Sequence, residues 1–68
     1  MKKNIIVASY SKDLGLVIQW LKLKKAIKRS GKIEKRGSVY AVEVISLHNK
    51  KQMQNLVKEK FGIFAKVI

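Results

Sequence analysis

Lysine and arginine are the residues of this sequence with the clearest potential for chemistry, which is the neutralisation of negative charge. Sixteen of the 68 residues are Lys or Arg, against four Asp or Glu, and the formal net charge is +12. Self-repulsion on this scale costs folding free energy that a polyanionic partner would relieve. The largest local group of cations is Lys22, Lys24, Lys25, Lys28 and Arg29. The composition therefore predicts a functional basic surface.

Other reactive side chains are few and do not form a recognisable constellation. His48 is the only histidine, and neither an acid nor a cysteine lies beside it in the sequence. Asp13 and Glu59 are explained by helix ends and by pairing with lysine, and Glu43 by the predicted hairpin. The glycines match no phosphate-binding motif. Because catalytic and metal sites need converging groups, we predict no catalytic residue, no metal, no cofactor and no enzyme activity.

The length and composition predict one small basic α+β domain over residues 1–68. A chain of this size buries only about 60% of its unfolded surface, and it has no cysteine to form a disulfide. Stability must come from close packing, from self-association as a homodimer, or from both. No apolar run is typical of a signal peptide or a membrane span, so we expect a cytoplasmic protein.

The central element is a predicted helix over residues 11–31, preceded by a strand over 3–10. Ser11 is the expected N-cap and Gly31 the expected residue after the helix end. Two apolar stripes run along this helix at about 100° per residue. Because the first stripe continues to the end of the predicted helix, we expect it to face the sheet, with Trp20 as a core anchor. The first stripe is Leu16, Trp20, Leu23 and Ile27, and the second is Leu14, Ile18 and Leu21.

A hairpin, a second helix and a last strand follow. Gly37-Ser38 is a two-residue turn signal, because a type II′ turn needs Gly first. The hairpin over 32–47 would pair Arg36 with Val39, and then each residue in turn down to Lys32 with Glu43. Asn49 and Gln52 resemble a capping box at the start of a helix over 48–61. A strand over 63–68 completes the chain.

This order predicts a ferredoxin-like β-α-β-β-α-β sandwich, with a four-stranded antiparallel sheet and both helices on one face. The other face of such a sheet would be too apolar to be wholly solvated, so a second copy or another partner would cover it. The predicted interface on this face consists of Val39, Ala41, Ile45, Phe64 and Ile68.

The same topology occurs in RNA-recognition motifs, and Arg36-Gly37 followed by Val39-Tyr40 invites that comparison. The comparison fails, because Val39 and Ala41 occupy positions that should hold stacking aromatics. Tyr10 and Phe64 are the better candidates for exposed contact.

Nucleic-acid binding through phosphate contacts, with weak sequence specificity, is the leading functional hypothesis. The alternative is a protein-interaction module or inhibitor, of the kind encoded by a phage or other mobile element, which binds an acidic partner through the apolar sheet face or a helix stripe. Membrane binding is disfavoured, because the apolar face of the first helix is needed for the core. The predicted phosphate contacts are Lys22, Lys24, Lys25, Lys28, Arg29, Lys32, Lys35, Arg36, Lys50 and Lys51, and Lys58 and Lys60 could share a groove with them.

Overall fold

Two helices lie on one antiparallel sheet in the computed structural model, which describes residues 2–68; Met1 of the predicted domain lies outside the described residues. The strands are β1 (Lys2–Ala8), β2 (Arg29–Ser30), β3 (Glu34–Arg36), β4 (Val39–Ser46) and β5 (Ala65–Val67), and the helices are α1 (Ser11–Leu23) and α2 (Lys50–Phe61).

The small α+β class, the two helices and the antiparallel sheet are confirmed, but the four-stranded ferredoxin-like order is not. The sheet has five strands in the order β2-β4-β1-β5, and β3 also pairs with β4. The predicted pairs Arg36–Val39, Lys35–Tyr40 and Glu34–Ala41 are confirmed. The next predicted pairs, of Ile33 and Lys32, are wrong, because residues 31–33 belong to no strand.

The first strand of the predicted hairpin is divided into β2 and β3, which pair with β4 at two separate places. β2 pairs with Val44 and Ile45, and the Gly31 N–H donates to the Glu43 carbonyl over 2.8 Å. Ile33 is therefore exposed rather than part of the predicted core face. Glu43, which was expected to face Lys32, instead has its carboxylate 3.5 Å from Lys3 Nζ.

The helix α1 ends eight residues before the predicted boundary at Gly31. Lys25 adopts a left-handed conformation with φ of 57°. The Ala26 N–H then donates to the Leu21 carbonyl over 2.8 Å, and the Lys25 N–H donates to the Lys22 carbonyl over 3.0 Å. These two bonds form a Schellman motif, which reverses the chain with Lys25 in the place that glycine usually takes.

The expectation for the buried face of α1 is also wrong. Leu16 and Leu23 are 49% and 77% exposed, whereas Leu14, Val17 and Leu21 are fully buried. Ile27, the fourth member of the first stripe, lies beyond the helix end. The first stripe is therefore no longer than the second, and the second stripe packs on the sheet. The predicted N-cap is wrong as well, since Tyr10 is the N-cap residue and forms no side-chain cap bond.

The second helix follows its sequence signals closely. Asn49 and Gln52 form both bonds of the capping box, and Gly62 ends the helix with φ of 55°. Met53 and Val57 are buried in the same core cluster as Leu14 and Leu21. Both helices therefore pack on one side of the sheet.

Trp20 joins the two helices at the edge of this core, as a partly buried residue packed against it. Its ring meets the Phe61 ring edge to face, with centroids 5.6 Å apart. The Lys24 ammonium also lies over the Trp20 ring, 5.0 Å from its centroid. Trp20 is therefore a packing residue, and Lys24 is folded back along the helix.

Candidate functional site

The antiparallel topology gathers cations at one end of the sheet, which we name the basic end. β1 begins opposite the end of β4, with Lys2 paired to Ser46 and Lys3 to Ile45. β2 begins at the same level, since Arg29 also pairs with Ile45. The chain enters β2 from the C-terminus of α1 and leaves β4 into the N-terminus of α2. The nine cations of the basic end are Lys2, Lys3, Lys22, Lys24, Lys25, Lys28, Arg29, Lys50 and Lys51.

Every one of these nine residues is exposed, and the opposing negative charge is small. Glu43 is near this end and is paired with Lys3. The other three acids are distributed elsewhere: Asp13 lies in the first turn of α1, Glu34 in β3 and Glu59 near the C-terminus of α2. The positive charge of the protein is therefore concentrated on one surface.

The structure brings together seven of the ten predicted phosphate contacts and separates three. Lys35 and Arg36 lie in β3 beside the Gly37-Ser38 turn, which marks the opposite end of the sheet. Lys32 lies in the segment between β2 and β3. Lys58 and Lys60 are in the last turn of α2, at the opposite end of that helix from Lys50 and Lys51. Phosphate contacts by Lys32, Lys35 and Arg36, and a groove shared with Lys58 and Lys60, therefore stay predictions.

Sequence reasoning missed Lys2 and Lys3. They sit at the start of a strand, far along the chain from the other cations of the basic end. Their place follows only from the pairing of β1 with the last residues of β4, and no local pattern in the sequence carries that information.

A small polar network fixes the start of α2 against the sheet. The Asn4 side-chain amide and the Ser46 hydroxyl both donate to the His48 carbonyl over 3.3 Å, and the His48 N–H donates to Ser46 Oγ over 3.1 Å. Asn4 and Ser46 are buried, so these bonds satisfy groups that would otherwise be costly to bury. The network holds Lys50 and Lys51 in a set position beside β1 and β4.

Lys25 occupies a backbone conformation that favours glycine. A left-handed residue with a Cβ is disfavoured sterically, by an amount of order 1 kcal/mol. The side chain of Lys25 is exposed, so packing does not account for its presence there. A cation therefore occupies a position where the local fold favours glycine.

Lys50 and Lys51 are also in an unfavourable place. They are the first two residues of α2, and the first turn of this helix contains no acid. A helix N-terminus carries partial positive charge, so cations there destabilise the helix and carboxylates stabilise it. By contrast, Lys22 in the last turn of α1 and Lys58 and Lys60 in the last turn of α2 complement the dipole.

The predicted interface residues lie on the side of the sheet away from the helices. Ala41 is buried there, Val39 and Ile45 are partly buried, and Phe64 and Ile68 are exposed. Tyr10 is 69% exposed and Phe64 is 64% exposed. These two aromatic side chains lie toward the hairpin end of the sheet rather than at the basic end.

Within residues 2–68, no three His, Cys, Asp or Glu side chains come together as potential metal ligands. In the same range, neither helix has the length and apolar character needed to cross a membrane. Comparisons of the chain with protein-family models, with curated proteins and with solved structures found no match.

Proposed function

We propose that this protein binds nucleic acid through the basic end, by contacts between its cations and the phosphate backbone. The observation that carries the proposal is the presence of Lys25, Lys50 and Lys51 at positions where the local fold favours other residues. Violations of local preference of this kind concentrate at functional sites. A surface selected only to keep the chain in solution has no reason to place cations there.

The preferred nucleic acid is a duplex. Single-stranded nucleic acid is usually held by bases stacked on exposed aromatic rings. The basic end offers no such ring, because Trp20 is packed against Phe61 and covered by Lys24. A duplex presents a higher density of phosphates to a cationic surface. Lysine also makes few geometrically selective contacts, which supports weak sequence specificity.

The dimensions of the domain set the size of the contact. The Cα atoms extend over 28 × 21 × 20 Å. An end about 20 Å across covers about six base pairs, at 3.4 Å for each phosphate along a strand. We therefore propose a short binding site.

We also propose that the sheet is a ferredoxin-like sheet with an interrupted strand. β2 and β3 both pair with the edge of β4 that β1 leaves free. If β2 and β3 are one strand broken at residues 31–33, the order becomes that of a split β-α-β fold. The break shifts the register by one residue, since Arg29 pairs with Ile45 whereas the register of Glu34 with Ala41 would pair it with Ser46.

A salt titration tests the proposed function. We expect the affinity for a 20-base-pair DNA duplex of mixed sequence to fall by about 10³-fold or more between 50 and 200 mM salt, as for six or more phosphate contacts. The affinity for duplexes of unrelated sequence should be similar, and that for a single strand of the same length lower. Fluorescence anisotropy measures all three. Absence of duplex binding at 50 mM salt would contradict the proposal.

The unfavourable position of Lys50 and Lys51 at the N-terminus of α2 gives a second prediction. The double substitution Lys50→Glu/Lys51→Glu should raise the free energy of unfolding at low salt by about 0.3–1 kcal/mol for each reversed charge, since carboxylates favour a helix N-terminus. It should at the same time weaken duplex binding at least tenfold. Urea denaturation and anisotropy measure the two effects on the same samples.

The matched control is Lys58→Glu/Lys60→Glu, in the last turn of the same helix. The change in net charge is identical, but carboxylates there oppose the negative end of the dipole. The control should therefore lose stability and lose less affinity. Equal losses of affinity in the two variants would contradict the assignment of Lys50 and Lys51 to the binding surface.

A further inference from the structure

The side of the sheet away from the helices, which we name the open face, has a mainly apolar centre and charged flanks. Its central side chains are Ile5 and Val7 in β1 and Val39, Ala41 and Ile45 in β4, and the exposed Glu43 lies among them, paired with Ile5. In residues 2–68 neither helix packs on this face. A sheet of this composition is usually covered on both sides.

The flanking charges are arranged with opposite signs on the two sides. One row across the sheet follows from the pairing registers: Glu34 faces Ala41, Ala41 faces Val7, and Val7 faces Lys66. The row therefore has a carboxylate at one side, two apolar residues in the middle and an ammonium at the other side. Both charged residues are exposed, and the Glu34 carboxylate also lies 3.7 Å from Arg36 Nη2 of its own chain.

We infer that the open face binds a second copy of this chain, around a two-fold axis parallel to the strands that passes between β1 and β4. Such an axis reverses the order of the row across the sheet and leaves its position along the strands unchanged. Glu34 of each copy then faces Lys66 of the other, and Ala41 faces Val7. Two sheets packed face to face lie about 10 Å apart, which a glutamate and a lysine span together.

A two-fold axis across the strands is disfavoured by the same registers. It would invert the sheet and place Arg29 near Arg36 of the other copy, since these residues pair with Ile45 and Val39 at opposite ends of β4. Like charges in an interface are costly. The axis along the strands instead places Arg36 near Phe64 of the other copy, a favourable arrangement of a cation and an aromatic ring.

The shape of the open face agrees with this arrangement. It has two shallow depressions, one on each side. The first is bordered by Phe64 and Lys66 on the β5 side, and the second by Glu34, Arg36 and Glu43 on the β3 side. The axis along the strands lays the β5 side of one copy over the β3 side of the other. The exposed Phe64 side chain therefore meets the second depression.

The available area is sufficient for a specific dimer. The Cα extents of 28 and 21 Å limit the open face to roughly 600 Å² in each copy, and the corresponding total of roughly 1,200 Å² lies at the lower bound of specific interfaces. We therefore expect a reversible dimer.

The dimer would double the proposed nucleic-acid surface. An axis parallel to the strands leaves both basic ends at the same end of the assembly, where they form one continuous cationic surface. The two ends repel each other, which weakens the dimer at low salt, and a bound polyanion relieves this repulsion. This consequence rests on the proposed function, whereas the dimer itself does not.

A charge exchange tests the dimer. Sedimentation equilibrium of the free protein in 150 mM salt should show a reversible dimer. Glu34→Lys and Lys66→Glu should each raise the dimer dissociation constant about tenfold or more, because each creates two like-charged contacts. The double variant Glu34→Lys/Lys66→Glu restores opposite charges across the axis and should recover most of the affinity.

Glu59→Lys and Lys35→Glu are the matched controls, since they change the net charge equally and lie off the open face. They should leave the dissociation constant within about threefold. A protein that stays monomeric at 1 mM overturns the inference, and so does a double variant as weak as its single variants, which would exclude this axis.

A third variant separates this inference from the proposed function. Phe64→Asp should be monomeric, and its binding to duplex DNA should depend on salt about half as steeply as that of the dimer. A dimer that binds no duplex would refute the proposed function and leave the inference intact. A monomer that binds duplex would refute the dimer and leave the proposed function intact.

Discussion

Reversing three cations of the basic end should weaken duplex binding by about 100-fold or more at 100 mM salt. The variant is Lys25→Glu/Lys28→Glu/Lys50→Glu, which takes one cation from just after α1, one from just before β2 and one from the start of α2. All three side chains are exposed, so we expect the fold to be retained. Each lost phosphate contact should also make the plot of log affinity against log salt shallower by about one unit.

The control for this variant has the same net charge. Lys12→Glu/Lys35→Glu/Lys60→Glu reverses three exposed lysines that lie in the first turn of α1, in β3 and in the last turn of α2. Long-range attraction falls equally in both variants, and only the first loses direct contacts. Control and test variants with the same affinity would show that binding depends on net charge alone and would refute the basic end as a site.

The largest effect on stability is expected at Leu21. This residue is fully buried against the core, and Leu21→Ala should lower the free energy of unfolding by about 2–5 kcal/mol, from lost burial and the cavity left behind. For a domain this small, such a loss is a large part of the total stability. Urea denaturation followed by tryptophan fluorescence measures it, because Trp20 packs against the same core.

Leu23→Ala is the control, since it makes the same chemical change two residues further along α1. Leu23 is 77% exposed, and exposed substitutions away from special features usually change stability by less than about 0.5 kcal/mol. A large loss at Leu23 together with a small loss at Leu21 would show that the helix is rotated to bury the other stripe.

The leucines of α1 also show what the sequence alone could not predict, namely which side of the helix is buried. The spacing of Leu14, Leu16, Leu21 and Leu23 gives a helix two equally periodic apolar stripes, and periodicity alone does not select one. The choice depended on the helix reaching Ile27. Gly31 suggested that the helix extends past Ile27, because glycine usually follows a helix end. The helix instead ends before Lys25, and a lysine at the left-handed position gives no such sequence signal.

Local signals were sufficient where neighbouring residues determine the structure. The capping box of Asn49 and Gln52, the end of α2 at Gly62 and the pairs next to the hairpin turn are all present as expected. In each case the partners lie within a few residues of one another. The division of the hairpin strand at residues 31–33 depends on how the chain returns from α1, which is not a local property.

The candidate site could be predicted only in part for the same reason. The cluster from Lys22 to Arg29 is visible in the sequence, and so is Lys50-Lys51. That these two groups meet Lys2 and Lys3 at one end follows from strand pairing across about forty residues. The cost at Lys25 is visible only once the end of α1 is known, whereas the predicted cap at Asn49 already places Lys50 and Lys51 in the first turn of α2.

The break between β2 and β3 has a consequence for how the chain behaves when it is concentrated. An unbroken outer strand is a template on which further chains add without limit. Here that edge is divided and carries Glu34, Lys35 and Arg36, and at the opposite edge the Gln54 side-chain amide donates to the Val67 carbonyl over 3.0 Å. Neither border of the sheet offers a long run of free backbone groups. Growth into fibrils is therefore hindered at both borders.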